Sequence, residues 1–239
     1  MLILRDGKVI AARSEDVKEY EYIPLPRRIH TPSTPTQFID SYSLKIPHLK
    51  RSRVDSFVLP AQMPVSENLG YLLGWIASEG TLTKRFVMIS NTESESLDNI
   101  ERVCRALGFR PHRTKRYVVF CSTLFVRFLH AVGASGISKE KHVAGFLFNA
   151  PSEIIAAYLR AYFEGDGGVE NHEVTALSKS KELISGLCYL LYYFGIIARI
   201  QKRQKKYEKT GRKRTFWLLR ISGQDNLRKF QEHIGFIST

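Results

Sequence analysis

The chain has 239 residues, of which 44% are hydrophobic, so it can form one large domain or two small ones and is not disordered as a whole. Lys and Arg exceed Asp and Glu by 36 − 23 = 13, which favours a polyanionic partner such as nucleic acid. No apolar run reaches the ~18 residues that span a bilayer, and the first residues lack the layout of a signal peptide, so we expect a cytoplasmic protein with no membrane partner.

Residues 1–65 are predicted to form an irregular N-terminal extension. Six of the nine prolines lie before residue 62, and Asp6-Gly7 between LILR and KVIAAR predicts a tight hairpin turn. The remainder reads as an arm with one short helix, which either contacts DNA or only packs against the rest of the protein. We favour contact, through the basic residues of this stretch: Arg27, Arg28, Lys50, Arg51 and Arg53.

Residues 66–150 form a first predicted repeat with a linker. Ser66 is a good N-cap for an apolar helix that runs to Ser78. Alternating residues after Gly80 predict a hairpin, and the apolar spacing from residue 93 to 107 predicts a helix that Gly108 ends. A second hairpin follows in FRPHRTKRYVVFC and a third helix in TLFVRFLHAVG.

Residues 151–239 repeat this order. The first motif helix ends in Glu79-Gly80 and the second in Asp166-Gly167, an offset of 166 − 79 = 87 residues, which also relates Gly108 to Gly195. An internal duplication with helix, two strands, helix, two strands and helix in each copy therefore predicts an α+β fold. Its two pseudo-symmetric αββαββα repeats would form a saddle of two four-stranded antiparallel sheets.

Small residues recur along both motif helices with helical spacing. The two series are Gly70, Gly74, Ser78 and Ala157, Ala161, Gly165. Such stripes let two helix backbones approach closely, so we expect the motif helices to pack on each other.

Parallel packing would bring Glu79 and Asp166 together at two helix C-termini, where negative charge already accumulates. Repulsion between the carboxylates would be relieved by a hard divalent cation, so we predict a metal site at Glu79 and Asp166 with the preceding Ser78 and Gly165. The glycines that follow the acids suit a left-handed position after a helix. The alternative is that each acid-glycine pair is only a polar helix stop.

The second predicted hairpin of the second repeat is longer than that of the first. Gly133 corresponds to Gly235, an offset of 102, so 102 − 87 = 15 residues are inserted, with a turn at Thr210-Gly211. A basic two-stranded ribbon fits the major groove of DNA, and a solvated charged hairpin is the alternative. The predicted DNA contacts are Arg199, Lys202, Arg203, Lys205, Lys206, Lys209, Arg212, Lys213, Arg214 and Arg220 in this ribbon, and Lys84, Arg85, Arg110, Arg113, Lys115 and Arg116 in the first repeat.

The segments LLGWIASEG (residues 72–80) and LRAYFEGDG (residues 159–167) resemble the double signature of the LAGLIDADG, or dodecapeptide, homing endonucleases. The resemblance covers about residues 66–239 and implies a monomer that cuts double-stranded DNA with Mg²⁺, for which Mn²⁺ would substitute. It also implies a polar residue and a lysine at the end of the second strand of each repeat. Lys179 and Asn91 match as catalytic residues, but Asn91 is followed by threonine, so either one strand is cut more slowly or Lys84, Arg85 or Lys139 replaces the missing lysine.

Three functions are compatible with these features. The first is a site-specific DNA endonuclease encoded by a mobile intron or descended from an intein, with Glu79 and Asp166 as its catalytic acids. The second is a maturase that binds intron RNA and assists splicing, for which the acids would be dispensable. The third is a catalytically silent DNA-binding regulator.

The cysteines carry a further expectation. Cys104, Cys121 and Cys188 lack a metal-binding spacing, so we expect three buried thiols in a reducing compartment and no zinc site.

Overall fold

The computed structural model describes residues 2–19, 21–24, 28–30, 32–44, 46, 57–135, 138–206 and 213–237. Strands β1 (Leu2–Arg5) and β2 (Lys8–Ala11) form the predicted N-terminal hairpin. Its turn residues Asp6 and Gly7 have φ of 51° and 73°, as a two-residue hairpin turn requires. Strands β3 (Phe38–Asp40) and β4 (Gln62–Pro64) pair with each other, which the sequence did not indicate.

Each repeat contains the predicted succession of helices and strands. The first comprises α1 (Glu67–Glu79), β5 (Gly80–Leu82), β6 (Phe86–Ser90), α2 (Ser94–Ala106), β7 (His112–Arg113), β8 (Tyr117–Cys121) and α3 (Thr123–Ala131). The second comprises α4 (Ser152–Asp166), β9 (Gly167–Glu170), β10 (Glu173–Ser178), α5 (Lys181–Tyr192), β11 (Ala198–Lys206), β12 (Lys213–Ile221) and α6 (Gln224–His233). In the part of the chain described, no helix is long and apolar enough to cross a membrane.

The two four-stranded antiparallel sheets have the same strand order. The first runs β5-β6-β8-β7 and the second β9-β10-β12-β11, so each strand has its counterpart in the other repeat. The predicted α+β fold with duplicated repeats is therefore confirmed.

The helices α1 and α4 pack in parallel along their small residues. A Cβ atom on Gly70 would lie 2.7 Å from the carbonyl oxygen of Ile154, and one on Gly74 would lie 2.3 Å from that of Tyr158. Both distances are below the closest approach of real Cβ atoms, so side chains at these positions would force the helices apart. The contacts advance along both helices in the same direction, which establishes the parallel packing.

The glycines after the acids have a different role from the one predicted. Gly80 has φ −75° and Gly167 has φ −93°, so neither is left-handed. The chain passes directly from helix to strand, and a Cβ on Gly80 would lie 2.4 Å from the Ile76 carbonyl oxygen. Close approach is thus the reason for glycine there. The left-handed helix ends occur at Gly108 and Gly195, with φ of 87° and 66°.

The ribbon insertion is one residue shorter than the sequence offset indicates. Ser90 pairs with Tyr117 and Leu177 with Leu218, so the offset between the partner strands is 218 − 117 = 101 residues. Of the 15 inserted residues, 101 − 87 = 14 therefore lie before Leu218, and the remaining one lies between Leu218 and Gly235. The nine-residue strands β11 and β12 accommodate the insertion.

Part of the N-terminal extension packs on the second repeat. The Ile29 N–H donates to the Tyr192 carbonyl at 3.1 Å, and Arg28 Nε donates to the Tyr193 carbonyl at 3.0 Å. These contacts satisfy carbonyl groups at the end of α5. At Arg28 the structure therefore supports the packing alternative over DNA contact, whereas Arg27, Lys50, Arg51 and Arg53 lie outside the described residues.

The expectation of three buried thiols is wrong at one position. Cys104 and Cys188 are buried, but Cys121 is exposed because it ends β8 on the side opposite to the buried residues of that strand.

Candidate active site and nucleic-acid interface

Glu79 and Asp166 are the last residues of the two parallel motif helices. A Cβ on Gly165 would lie 3.2 Å from Glu79 Cγ and 2.3 Å from Ser78 Oγ, so the acidic ends of the two helices are in contact. The duplication therefore places one acid from each repeat at a single locus.

The surroundings of this pair disfavour two negative charges. Burial, and to a smaller extent the charge of Glu79, raise the pKa of Asp166 to about 6. Burial also raises the pKa of Glu79, and Lys141 opposes the shift at both acids. A site with two partly buried carboxylates and raised pKa values favours binding of an additional cation.

Lys141 lies at this locus and was not identified from the sequence. Its ammonium donates to the carbonyls of Ala77 at 2.9 Å and Ser78 at 3.2 Å, which end α1 without intrahelical partners. Burial lowers the pKa of Lys141, whereas Asp166 and Glu79 raise it. The residue belongs to the linker outside the duplication, so the offset of 87 gave no signal for it, although Lys139 two residues earlier was considered.

The proposed metal ligands Ser78 and Gly165 contribute differently from the acids. The Ser78 carbonyl accepts from Lys141, and its hydroxyl donates to the Gly74 carbonyl at 3.2 Å. Gly165 makes room for Ser78 at the helix crossing. Within the described residues, no group of three or more His, Cys, Asp or Glu side chains is arranged to hold a metal. Two carboxylates nevertheless match the way Mg²⁺ is often bound, with water and phosphate completing its shell.

A cleft of about 600 Å³ opens beside Glu79. Asn91 lines it, as predicted for the strand end, together with Ser90, Tyr117 and Arg116. The Asn91 side-chain oxygen accepts from the backbone N–H of Glu93 at 2.8 Å, so it also shapes the turn into α2.

Lys179 lines a separate cavity of about 530 Å³, on the side of the second repeat. Lys139, Lys213, Arg214 and Thr215 share this cavity, so four cationic side chains converge there. Lys179 is thus placed among predicted DNA contacts, whereas Lys141 is the cation that acts on both acids.

The predicted DNA contacts lie on both faces of the sheets, because successive side chains of a strand point to opposite faces. Arg113 pairs across β7 and β8 with the buried Val118, and its guanidinium lies 2.8 Å from Asp98 of α2. It therefore lies on the helix-covered side of its strand. Arg220 and Arg199 lie on the open side, but Glu173 forms ion pairs with both. The single carboxylate of Glu173 therefore offsets one of these two positive charges, mainly that of the more closely paired Arg220.

The remaining predicted contacts are exposed or lie outside the described part. Exposed side chains are those of Lys84, Arg85, Arg110, Lys115, Arg116, Lys202, Arg203, Lys213 and Arg214. Lys209, Arg212 and the Thr210-Gly211 turn lie outside the described residues, as do the side chains of Lys205 and Lys206.

Comparison with known proteins identifies the second repeat directly. A family model described as a LAGLIDADG-like domain matches residues 153–235. The Replication factor C small subunit of Methanocaldococcus jannaschii is 34% identical over 194 residues, which is 75% of this chain and 10% of that protein. The DNA-directed RNA polymerase subunit Rpo1C of the same organism is 28% identical over 226 residues, 86% of this chain and 26% of that protein. The chain thus spans about a quarter or less of the curated relatives it matches.

The fold has a counterpart among solved structures. The crystal structure of I-DmoI in complex with DNA and Mn superposes with a TM-score of 0.52 at 15% identity, covering 73% of this chain and 98% of that one. At this level of identity the similarity shows a shared fold.

Proposed function

Because the chain belongs to the LAGLIDADG family, we propose that it is a site-specific DNA endonuclease that cuts both strands of a long duplex target by phosphodiester hydrolysis. The observation that carries the proposal is the convergence of Glu79 and Asp166, one from each repeat, at the ends of two parallel helices. Each acid would serve one strand of the duplex. One chain supplies both acids, so a monomer would suffice.

The two carboxylates would hold Mg²⁺, with Mn²⁺ able to replace it. When bound there, such an ion neutralises phosphate charge and makes water a stronger nucleophile at neutral pH. The chain's own residues have complementary tasks. Glu79 and Asp166 orient their oxygens toward the phosphate backbone, Lys141 offsets the charge of the acids, and Asn91 positions water or phosphate oxygen in the cleft beside Glu79.

Outside the acids, the charge distribution fits a duplex. The basic cavity around Lys179 and the exposed residues Lys84, Arg85 and Arg116 would bind phosphates on either side of the cleavage site. This electrostatic contribution makes the affinity fall steeply with salt.

The curated relatives support an independent activity for the shared segment. They are named for transcription, translation initiation and replication, and the segment covers 26%, 18% and 10% of the Rpo1C, probable IF-2 and Replication factor C small subunit proteins of Methanocaldococcus jannaschii. Those three tasks do not require one common nuclease-like domain, so the segment has its own function. We therefore interpret it as a module of a mobile intron or intein.

A cleavage assay tests the proposal. The protein is incubated with Mg²⁺ and a randomised duplex library or a library of host genomic fragments, and cut molecules are sequenced. The wild type should enrich one site, and Asp166→Asn should bind this site with unchanged affinity but lose cutting by at least about a thousandfold. Glu95→Gln, which alters an exposed acid of α2, is the matched control and should cut normally.

The alternatives give different results. Equal cutting by Asp166→Asn and the wild type would remove the acids from catalysis. Sequence-specific DNA binding without cleavage would favour the silent regulator, and selective binding of intron RNA with Asp166→Asn fully active in splicing would favour the maturase.

A further inference from the structure

The open faces of the two sheets differ in chemistry. In the first sheet, alternate residues of β6 and β8 are buried beneath the helices, namely Val87, Ile89, Val118 and Phe120. The residues between them face away from the helices and pair across the strands as Phe86 with Cys121, Met88 with Val119 and Ser90 with Tyr117. These six side chains include no Lys, Arg, Asp or Glu.

This face leads into the candidate active site. Ser90 and Tyr117 form its edge and also line the cleft beside Glu79. A duplex whose backbone reaches Glu79 would therefore present the adjoining bases to Met88 and Val119.

The open face of the second sheet is polar and basic at its outer strand. Gln201 pairs with Leu218, and Arg203 pairs with Phe216. Arg203 Nε donates to Gln201 Oε1 at 3.1 Å, which places both side chains on the same side of β11. Among the described residues, no carboxylate forms an ion pair with Arg203, in contrast to Arg220, which Glu173 engages.

The major groove distinguishes these two kinds of surface. Thymine presents a methyl group, which apolar side chains recognise, whereas guanine and adenine present N7 and adjacent groups that Arg and Gln bind in bidentate fashion. On this face Met88 and Val119 can bury methyl groups. The neighbouring strands add Thr81 opposite Met88 and His112 opposite Val119, and neither side chain binds a purine in the bidentate fashion of Arg or Gln.

We infer that the two halves of the DNA site are read by different chemistry, an inference that rests on the proposed function. The first repeat reads thymine methyl groups through Met88 and Val119. The second repeat reads purine edges through Gln201 and Arg203. The target is accordingly asymmetric, with thymines in one half and purine contacts in the other.

Base analogues test this inference on the duplex recovered from the library selection. In a Cys121→Ser background the thiols of Cys104 and Cys188 are buried, so an iron chelate attached at Glu95→Cys, an exposed position of α2 outside the open face of the first sheet, cleaves nearby DNA and identifies the half bound by the first repeat. Thymines are then replaced by deoxyuridine, which lacks only the methyl group, in one half at a time. Purines are replaced by their 7-deaza analogues in the same way.

Deoxyuridine in the first repeat's half should weaken binding about fourfold per contacted methyl group, and less than about twofold in the other half. The 7-deaza purines should weaken binding about tenfold in the second repeat's half. Arg203→Ala should reduce this purine effect, and Arg203→Ala combined with Gln201→Ala should abolish it. Arg228→Ala, which removes an exposed arginine of α6 outside the predicted DNA contacts, is the matched control and should retain it.

Equal analogue effects in the two halves, a reversed pattern, or a first half without thymines would overturn the inference while cleavage stands. Met88→Ala that keeps the full deoxyuridine effect would also contradict it. If no duplex is bound or cut, the proposed function itself fails.

Discussion

Asp166→Asn should stabilise the metal-free protein above neutral pH, even though it removes a proposed catalytic group. Burial and Glu79 raise the pKa of Asp166 from 3.8 to about 6, so the folded state holds the proton more tightly than the unfolded chain. Ionisation therefore costs folding free energy, and this cost appears as the pH rises through the interval between the two values. The shift corresponds to about 3 kcal/mol at pH 8 and to almost nothing below pH 4.

Urea denaturation of both proteins between pH 4 and pH 8 in the presence of a chelator measures this difference. The stability advantage of Asp166→Asn should grow with pH and reach a plateau above pH 7, with a melting temperature roughly 5–10 °C higher than that of the wild type. Adding Mg²⁺ at pH 8 should stabilise the wild type more than the variant. An advantage that does not change with pH, or a variant less stable at pH 8, would refute the reasoning about the buried charge.

Three further perturbations have expected results. Gly74→Ala should lose about 3 kcal/mol of unfolding free energy because its Cβ would overlap a backbone oxygen of α4. Gly108→Ala should lose only about 1 kcal/mol, from strain in the left-handed backbone conformation. Similar losses for the two variants in urea denaturation would contradict the close packing of the helices. Lys141→Met should destabilise the fold by about 2 kcal/mol at pH 8 and by less at pH 4, where the acids are protonated. Urea denaturation across this pH range measures the difference. A loss of stability that does not change with pH would show that Lys141 does not stabilise the fold by attracting the two carboxylates. Arg116→Ala should reduce the slope of log affinity for DNA against log salt concentration by about one. Arg105→Ala, which breaks an ion pair on α2, should leave this slope unchanged. Equal slopes for the two variants would place Arg116 outside the DNA interface.

The fold was largely predictable because local patterns and the duplication agree. Ser66 caps α1 through a hydrogen bond from the Leu69 N–H, as its position indicated, and Gly108 ends α2 in the left-handed conformation. The small-residue stripes predicted the contact between the two motif helices, and the structure shows that they run parallel. Short strands such as β3 and β4 pair residues more than twenty positions apart, and no local pattern specifies such a contact.

Only the residues of the candidate site that recur in both repeats could be predicted from the sequence. Glu79 and Asp166 follow from the offset, but charged partners depend on tertiary contacts. Glu173 binds Arg220 because the register of β10 and β12 places them together, and nothing in the basic composition of the ribbon indicates that this arginine is neutralised. A count of positive residues therefore overestimates the charge available to DNA.

Lys141 makes a duplicated site electrostatically asymmetric. It caps the carbonyls at the end of α1, and the linker that carries it occurs once, so this contact has no copy made by the duplication at α4. The acids themselves are also in unequal surroundings, because burial and the charge of Glu79 raise the pKa of Asp166 to about 6, whereas burial is what raises the pKa of Glu79. Two helices that arose by repetition thus hold acids in unequal surroundings, and the cleft beside Glu79 and the basic cavity around Lys179 extend that inequality to the two DNA strands. If each acid serves one strand, the two cuts should proceed at different rates.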